Sequence, residues 1–276
     1  MLFERVSVYC FAASYGVAFL FELAHLLRPR RVLRMLGIGF GAAGLLAQTI
    51  FLAMQRPELA SRYGSLLFLA WIVAVFYLYG TLHHRRIAWG LFVLPLLLGL
   101  IGLAVLLERQ PAASDELWLL RLFDFEGDRF WGIVHAALLL LAAVGICVGF
   151  VASVMYLVHA RRLKSKALPG QGVKLLSLER LEEMNRRAIL LAFPLLTAGL
   201  IVGMALLSQS PTPVRSWTDP RVVAAAALWL IFAVLLFARY SLHVRGRRVA
   251  ILSIVAFVLM LVTLAVPHTL GGGGGP

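Results

Sequence analysis

Eight apolar runs recur along this chain, at about 7–27, 35–54, 65–82, 87–107, 132–158, 188–207, 222–240 and 250–267. Each is close to the roughly 20 residues that a helix needs to cross the hydrocarbon of a bilayer. In lipid every backbone polar group must find its partner within the protein, so runs of this length fold as helices. With 61% of its 276 residues apolar, 14% charged and a mean hydropathy of +0.90, the chain lies outside the composition of soluble domains. The reading is an all-α, polytopic integral membrane protein of about eight transmembrane helices. Residues 1–270 are expected to form a single transmembrane domain, and the Gly-rich 271–276 a disordered tail. A soluble globular enzyme is excluded.

A net charge of +13 raises the question of nucleic acid, which would require basic residues on one soluble face or interleaved with exposed aromatics. They gather instead in alternate turns between the runs. With the N-terminus outside, the inner turns collect 18 Lys or Arg and the outer ones 8, which is the asymmetry of the positive-inside rule. The partner of the basic excess is therefore the lipid bilayer, with no nucleic acid, and both termini are expected outside a bacterial inner (plasma) membrane. The first run lacks a basic leader and is followed by Arg28-Pro29-Arg30-Arg31, a stop-transfer flank, so it is expected to be retained. Cys10 and Cys147 both lie in apolar runs, which leaves neither a disulfide framework nor a C-x-x-C motif.

The connections are short except for two. The outer segment 108–131 mixes acids with Trp118, Phe123, Phe125, Phe130 and Trp131 and suits a partly helical stretch at the interface, placed to act as a lid. The inner segment Lys174 to Arg187 spaces Leu178, Leu181 and Met184 by threes behind Ser177, which reads as a short amphipathic helix with a serine N-cap. Pro95 and Pro194 interrupt two runs and bend helices. Glu22 and His25 form a Glu-x-x-His pair on one helix face; carboxylate-bridged metal sites use that spacing, but a single copy reads first as snorkelling or packing and second as a proton relay.

His135 opens the fifth run and His268 closes the eighth, so both imidazoles face the outer side. The outer loop between them ends Trp217-Thr218-Asp219-Pro220. Two neutral imidazoles on opposite faces of a flat aromatic surface suit the axial positions of a haem iron. Each piece also has a plain role: a histidine at a membrane interface, an aspartate N-cap ahead of an N1 proline, a belt tryptophan.

The order of these pieces resembles the cytochrome c assembly family of haem-handling membrane proteins, the group that includes CcsA, CcmC and HemX-like members. The resemblance runs from Trp131-Gly132-Ile133-Val134-His135 to Val266-Pro267-His268-Thr269. It takes in Tyr156-Leu157, Leu178-Glu179-Arg180-Leu181-Glu182, Trp217-Thr218-Asp219-Pro220, Trp229 and Gly246-Arg247-Arg248. It implies that His135 and His268 ligate a non-covalent haem b, cradled by Trp217 and Asp219, and that partners include other cytochrome c assembly or haem biosynthesis proteins. The tryptophan-rich segment is reduced to one Trp before Asp219. Phe237 stands eighteen residues after that Asp, where haem-transporting members carry a membrane histidine. This pattern is similar to the HemX-like branch.

Two alternatives remain at this level. One is a HemX-like regulator of haem biosynthesis without haem transport; the other is a small-solute transporter without haem, although no inverted pair of broken helices is visible. No nucleophile–base pair emerges from the runs, so no enzymatic activity is expected.

Overall fold

The computed structural model describes residues 7–57, 59, 61–83, 89–107, 127–164, 176–209, 220–240 and 246–265. Eight helices account for the regular structure among them: α1 (Val8–Leu27), α2 (Arg31–Gln55), α3 (Arg62–His83), α4 (Gly90–Leu106), α5 (Gly127–Lys164), α6 (Leu178–Gln209), α7 (Pro220–Tyr240) and α8 (Arg247–Ala265). Six are long and apolar enough to cross a membrane; α4 and the apolar stretch Val222–Ala238 of α7 are shorter. At 17 residues, α4 spans about 25 Å, the lower limit for a bilayer core. The protein is an all-α polytopic membrane protein.

Packing organises the helices into two rings. In the first, α1 meets α2 and α4, and α3 meets the same two; in the second, α5 meets α6 and α8, and α7 meets the same two. The rings join where α3 and α4 lie against α5 and α3 reaches α8. Arg62 Nη1 donates to the Ala265 carbonyl at 3.2 Å, tying the start of α3 to the end of α8.

Hydrophobic burial does not drive helices together in lipid, so close approach and buried hydrogen bonds have to. The α5–α6 pair, the most extensive contact of the molecule, carries a small-xxx-small pair on each helix. Gly145 and Gly149 of α5 receive Ala192 and Ala188; Gly199 and Gly203 of α6 receive Leu139 and His135. Four residues along one helix match four in reverse along the other, as an antiparallel register requires. Each ring also holds one buried amide. Gln48 accepts from the Tyr15 hydroxyl at 2.8 Å and donates to the Leu67 carbonyl at 3.1 Å, joining α1, α2 and α3. Asn185 Nδ2 shares its two hydrogens among three acceptors, Ser153 Oγ at 2.8 Å, Ser253 Oγ at 3.0 Å and the Gly149 carbonyl at 3.1 Å, joining α5, α6 and α8.

Helix ends follow local chemistry. Arg56, left-handed at φ 46°, terminates α2 just ahead of Pro57. Gly246, at φ +74°, leads into α8, and a Cβ there would meet the Tyr156 hydroxyl at 2.7 Å, so both conformation and space demand glycine. Pro220 starts α7 at the position where a missing N–H costs nothing. Ser177 caps as its sequence indicates, its hydroxyl accepting from the Arg180 N–H at 3.4 Å.

Two expectations are corrected. The amphipathic inner segment is not a separate helix: α6 begins at Leu178 and runs unbroken through Pro194 to Gln209. Leu181 is fully buried against the second ring, so the apolar stripe seen in sequence is the membrane helix continuing past the bilayer. Phe130 and Trp131 belong to α5 rather than to the outer loop. Of the expected lid, 108–131, residues 108–126 lie outside the described residues, as does the Gly-rich tail.

Candidate functional site

His135 sits in the first third of α5, packed against two glycines of α6. Its Nδ1 donates to the Gly199 carbonyl at 2.7 Å, and its Cε1 lies 2.6 Å from where a Cβ on Gly203 would stand. Only glycine at 203 leaves room for the ring. Because a carbonyl can only accept, Nδ1 carries a proton, and in the neutral ring the lone pair is therefore on Nε2. Fixing the tautomer in this way prepares an imidazole as a metal ligand.

A second polar contact lies on another face of α6. Trp229 of α7 donates its indole N–H to Thr197 Oγ1 at 3.0 Å, and its ring packs 5.7 Å from that of Phe193. Thr197 and Gly199 are two residues apart on α6, so the tryptophan and the histidine are held near one level by the same helix. Trp217, Asp219 and His268 lie outside the described residues.

The other described histidines are at the opposite end. His25 Nδ1 donates to the Arg30 carbonyl at 3.1 Å, His83 stacks on Tyr79 at 5.2 Å, and His159 Nδ1 donates to the Leu176 carbonyl at 2.9 Å. From His135 to His159 is about 36 Å along α5. Among the described residues no three His, Cys, Asp or Glu side chains converge, and Glu22 and His25 do not form the core of such a cluster. Phe237 is 59% exposed on α7 while Leu235 nearby is fully buried. Its ring therefore faces away from the bundle and does not fill an interior place left by a missing histidine.

Three of the segments that carried the resemblance meet at the basic end of the second ring. Tyr156, Glu182 and Gly246 line one small cleft with Ser153, Leu181 and Asn185. Sequence spacing alone had not joined them. Nor had it singled out Gly199, Gly203 and Asn185. The Gly-x-x-x-Gly repeats and an asparagine close to an apolar run were the available signals.

Helices of this number and length, ringed in two sets of four, define a polytopic membrane protein. Residues 59–270 match the cytochrome c assembly protein family, and the chain belongs to that family. It is 26% identical over 307 residues to the cytochrome c biogenesis protein CcsA of Gloeobacter violaceus, covering 92% of this chain and 89% of the relative. The CcsA of Synechococcus sp. strain JA-3-3Ab is 28% identical, over 92% of this chain and 86% of the relative. That of Guillardia theta is 25% identical, over 88% and 86%. No solved structure matches the chain. The family match starts at residue 59, taking in α3 and α4, well ahead of the segment that carried the resemblance in sequence. These relatives are CcsA proteins, and the HemX-like branch gains no support from them.

Proposed function

We propose that this membrane protein of cytochrome c assembly holds one non-covalent haem b at the outer end of its second ring. His135 and His268 are its axial ligands, and Trp217 with Asp219 forms the cradle. The observation that carries the reading is the His135–Gly199 hydrogen bond, which leaves Nε2 as the free ring nitrogen. Haem bound there would supply an iron that the imidazole nitrogens of His135 and His268 would hold.

The register of α5 on α8 supports the pairing. Phe150 stacks on Phe257 at 4.1 Å, and Asn185 bridges Ser153 and Ser253. Carried along both helices, this register sets Ala265 level with about residue 142 of α5, roughly 10 Å in height from His135. His268 follows Ala265 by three residues in the sequence. The transmembrane domain of 1–270, with both termini outside the plasma membrane, then presents haem to other assembly proteins on the outer face, and the chain acts as a carrier rather than an enzyme.

The test is haem content and the visible spectrum of purified His135→Ala, His268→Ala and the double variant at equal expression. Each single variant is expected to leave a five-coordinate site, and the double variant to lose haem; His159→Ala should do neither. With no C-x-x-C-H sequence, the haem should also leave on denaturation. A double variant with the parent's spectrum and haem content refutes the assignment.

A further inference from the structure

The first ring contains a polar site that haem ligation does not use. At the end where α1 and α3 finish and α2 and α4 begin, Glu22, Tyr77 and Thr81 turn buried oxygens toward one another. Glu22 Oε1, Tyr77 Oη and Thr81 Oγ1 are all shut off from solvent, and apart from the contact of the Tyr77 and Thr81 hydroxyls with each other they meet no hydrogen-bond partner. Tyr77 is fully buried and Thr81 is 5% exposed. A Cβ on Gly90 of α4 would stand 2.9 Å from the Tyr77 ring and 3.0 Å from the Glu22 carboxyl carbon, so both groups reach the same glycine. On the α2 side, a Cβ on Gly41 would meet the Tyr77 ring at 2.6 Å. Glycines on two helices thus hold the backbone back and let the polar groups in. Orphaned polar atoms in a packed interior are destabilising, and such groups are ordinarily satisfied by ordered water or an ion.

The geometry points to a water-filled proton-binding site in which Glu22 carries the exchangeable proton and Tyr77 and Thr81 hold the water beside it. The chemistry selects this occupant over a metal cation. Among the described residues, the charged or titratable groups facing Glu22 are His25 of its own helix, Arg34 of α2 and Tyr77 of α3, and α4 adds Gly90. Arg34 Nη2 already donates to the Thr81 carbonyl at 3.1 Å, which sets a guanidinium at the site's edge and repels a further cation. Two hydroxyls that both donate and accept match water. A carboxyl alternates between acceptor when ionised and donor when protonated. Proton release is heterolytic: the carboxyl O–H bond breaks, its electron pair stays on Glu22, and the proton passes to the bound water and on to solvent at the basic end.

The test uses the full chain, free of haem, in liposomes, so its outcome is independent of the haem assignment. Infrared difference spectra between acid and alkaline pH should contain a protonated-carboxyl C=O band. That band is expected to be lost in Glu22→Gln and shifted in Tyr77→Phe, which keeps the ring and removes the hydroxyl. Treatment with dicyclohexylcarbodiimide, which reacts with protonated carboxyls, should give an adduct mapped to Glu22 that declines as pH rises. Should Glu22→Gln not fold, the Tyr77→Phe shift and the wild-type adduct decide alone. A carboxyl band unchanged by Tyr77→Phe, or an unmodified Glu22 across the pH range, overturns the site.

Discussion

A Cβ on Gly203 would stand 2.6 Å from Cε1 of His135, so the seat of the imidazole exists only because position 203 is glycine. Gly203→Val should therefore push the ring off the Gly199 carbonyl without touching any other proposed haem contact. Overpacking of this kind costs about 1–3 kcal/mol of stability. Haem affinity should fall at least about tenfold, equivalent to about 1.4 kcal/mol, while circular dichroism still reports folded helices. Haem titration of the purified variant is the measurement. Unchanged affinity and spectrum would mean that His135 is not a ligand.

Asn185 is 4% exposed and bonds to three partners on two other helices. Asn185→Leu keeps the branched shape but removes the amide from the hydroxyls of Ser153 and Ser253, each of which retains a bond to its own helix at Gly149 and Val249. Because those fallback bonds exist, the expected loss is moderate, about 1–2 kcal/mol. Denaturant titration in detergent checks it. A triple variant in which both serines also become alanine should recover part of the loss, since no polar atom is then left alone.

The membrane helices were legible because hydropathy and length decide them almost alone. The runs at 35–54 and 65–82 correspond to α2 and α3 within a few residues. The sequence could not show where a membrane helix extends beyond the bilayer. Leu178 to Arg187 has an amphipathic pattern, and the same pattern serves a separate surface helix or the projecting end of α6. Packing decides between them, through Leu181 buried in the second ring. Of the four candidate site residues, His135 is the one that falls among the described residues. Its hydrogen-bond acceptor is a backbone carbonyl sixty-four residues away, and no side-chain pattern announces a carbonyl. Spacing along one helix also joins Glu22 to His25, which does face it, but Tyr77 reaches Glu22 from α3 and no spacing along α1 announces it.

The excess of basic residues in alternate turns predicts that both termini face outside. A C-terminal reporter active only in the cytoplasm should be silent, and one active only outside should report. Arg62 bonding to Ala265 gives this test a structural counterpart, since the start of α3 and the end of α8 must share a side. A cysteine introduced at Ser61 should accordingly be labelled by a membrane-impermeant thiol reagent from outside. Strong cytoplasmic signal from the C-terminal fusion would remove the shared side of His135 and His268.

Phe237 provides the last prediction. Its ring is 59% exposed while Phe232 on the same helix is 2% exposed, so position 237 faces lipid and Phe232 faces the ring. A histidine introduced at 237 has no interior partner to complete a second ligand pair, and an imidazole turned toward hydrocarbon costs about 1–3 kcal/mol. Phe237→His should therefore bind no more haem than the parent, with a saturated ratio not exceeding one per chain. Phe237→Leu, apolar on a lipid-facing surface, should stay within about 0.5 kcal/mol of the parent. Haem quantified against protein after saturation decides the point. A reproducible ratio near two in Phe237→His would mean that α7 rotates to bring position 237 inward, and that the face it presents here is not the one it uses with haem bound.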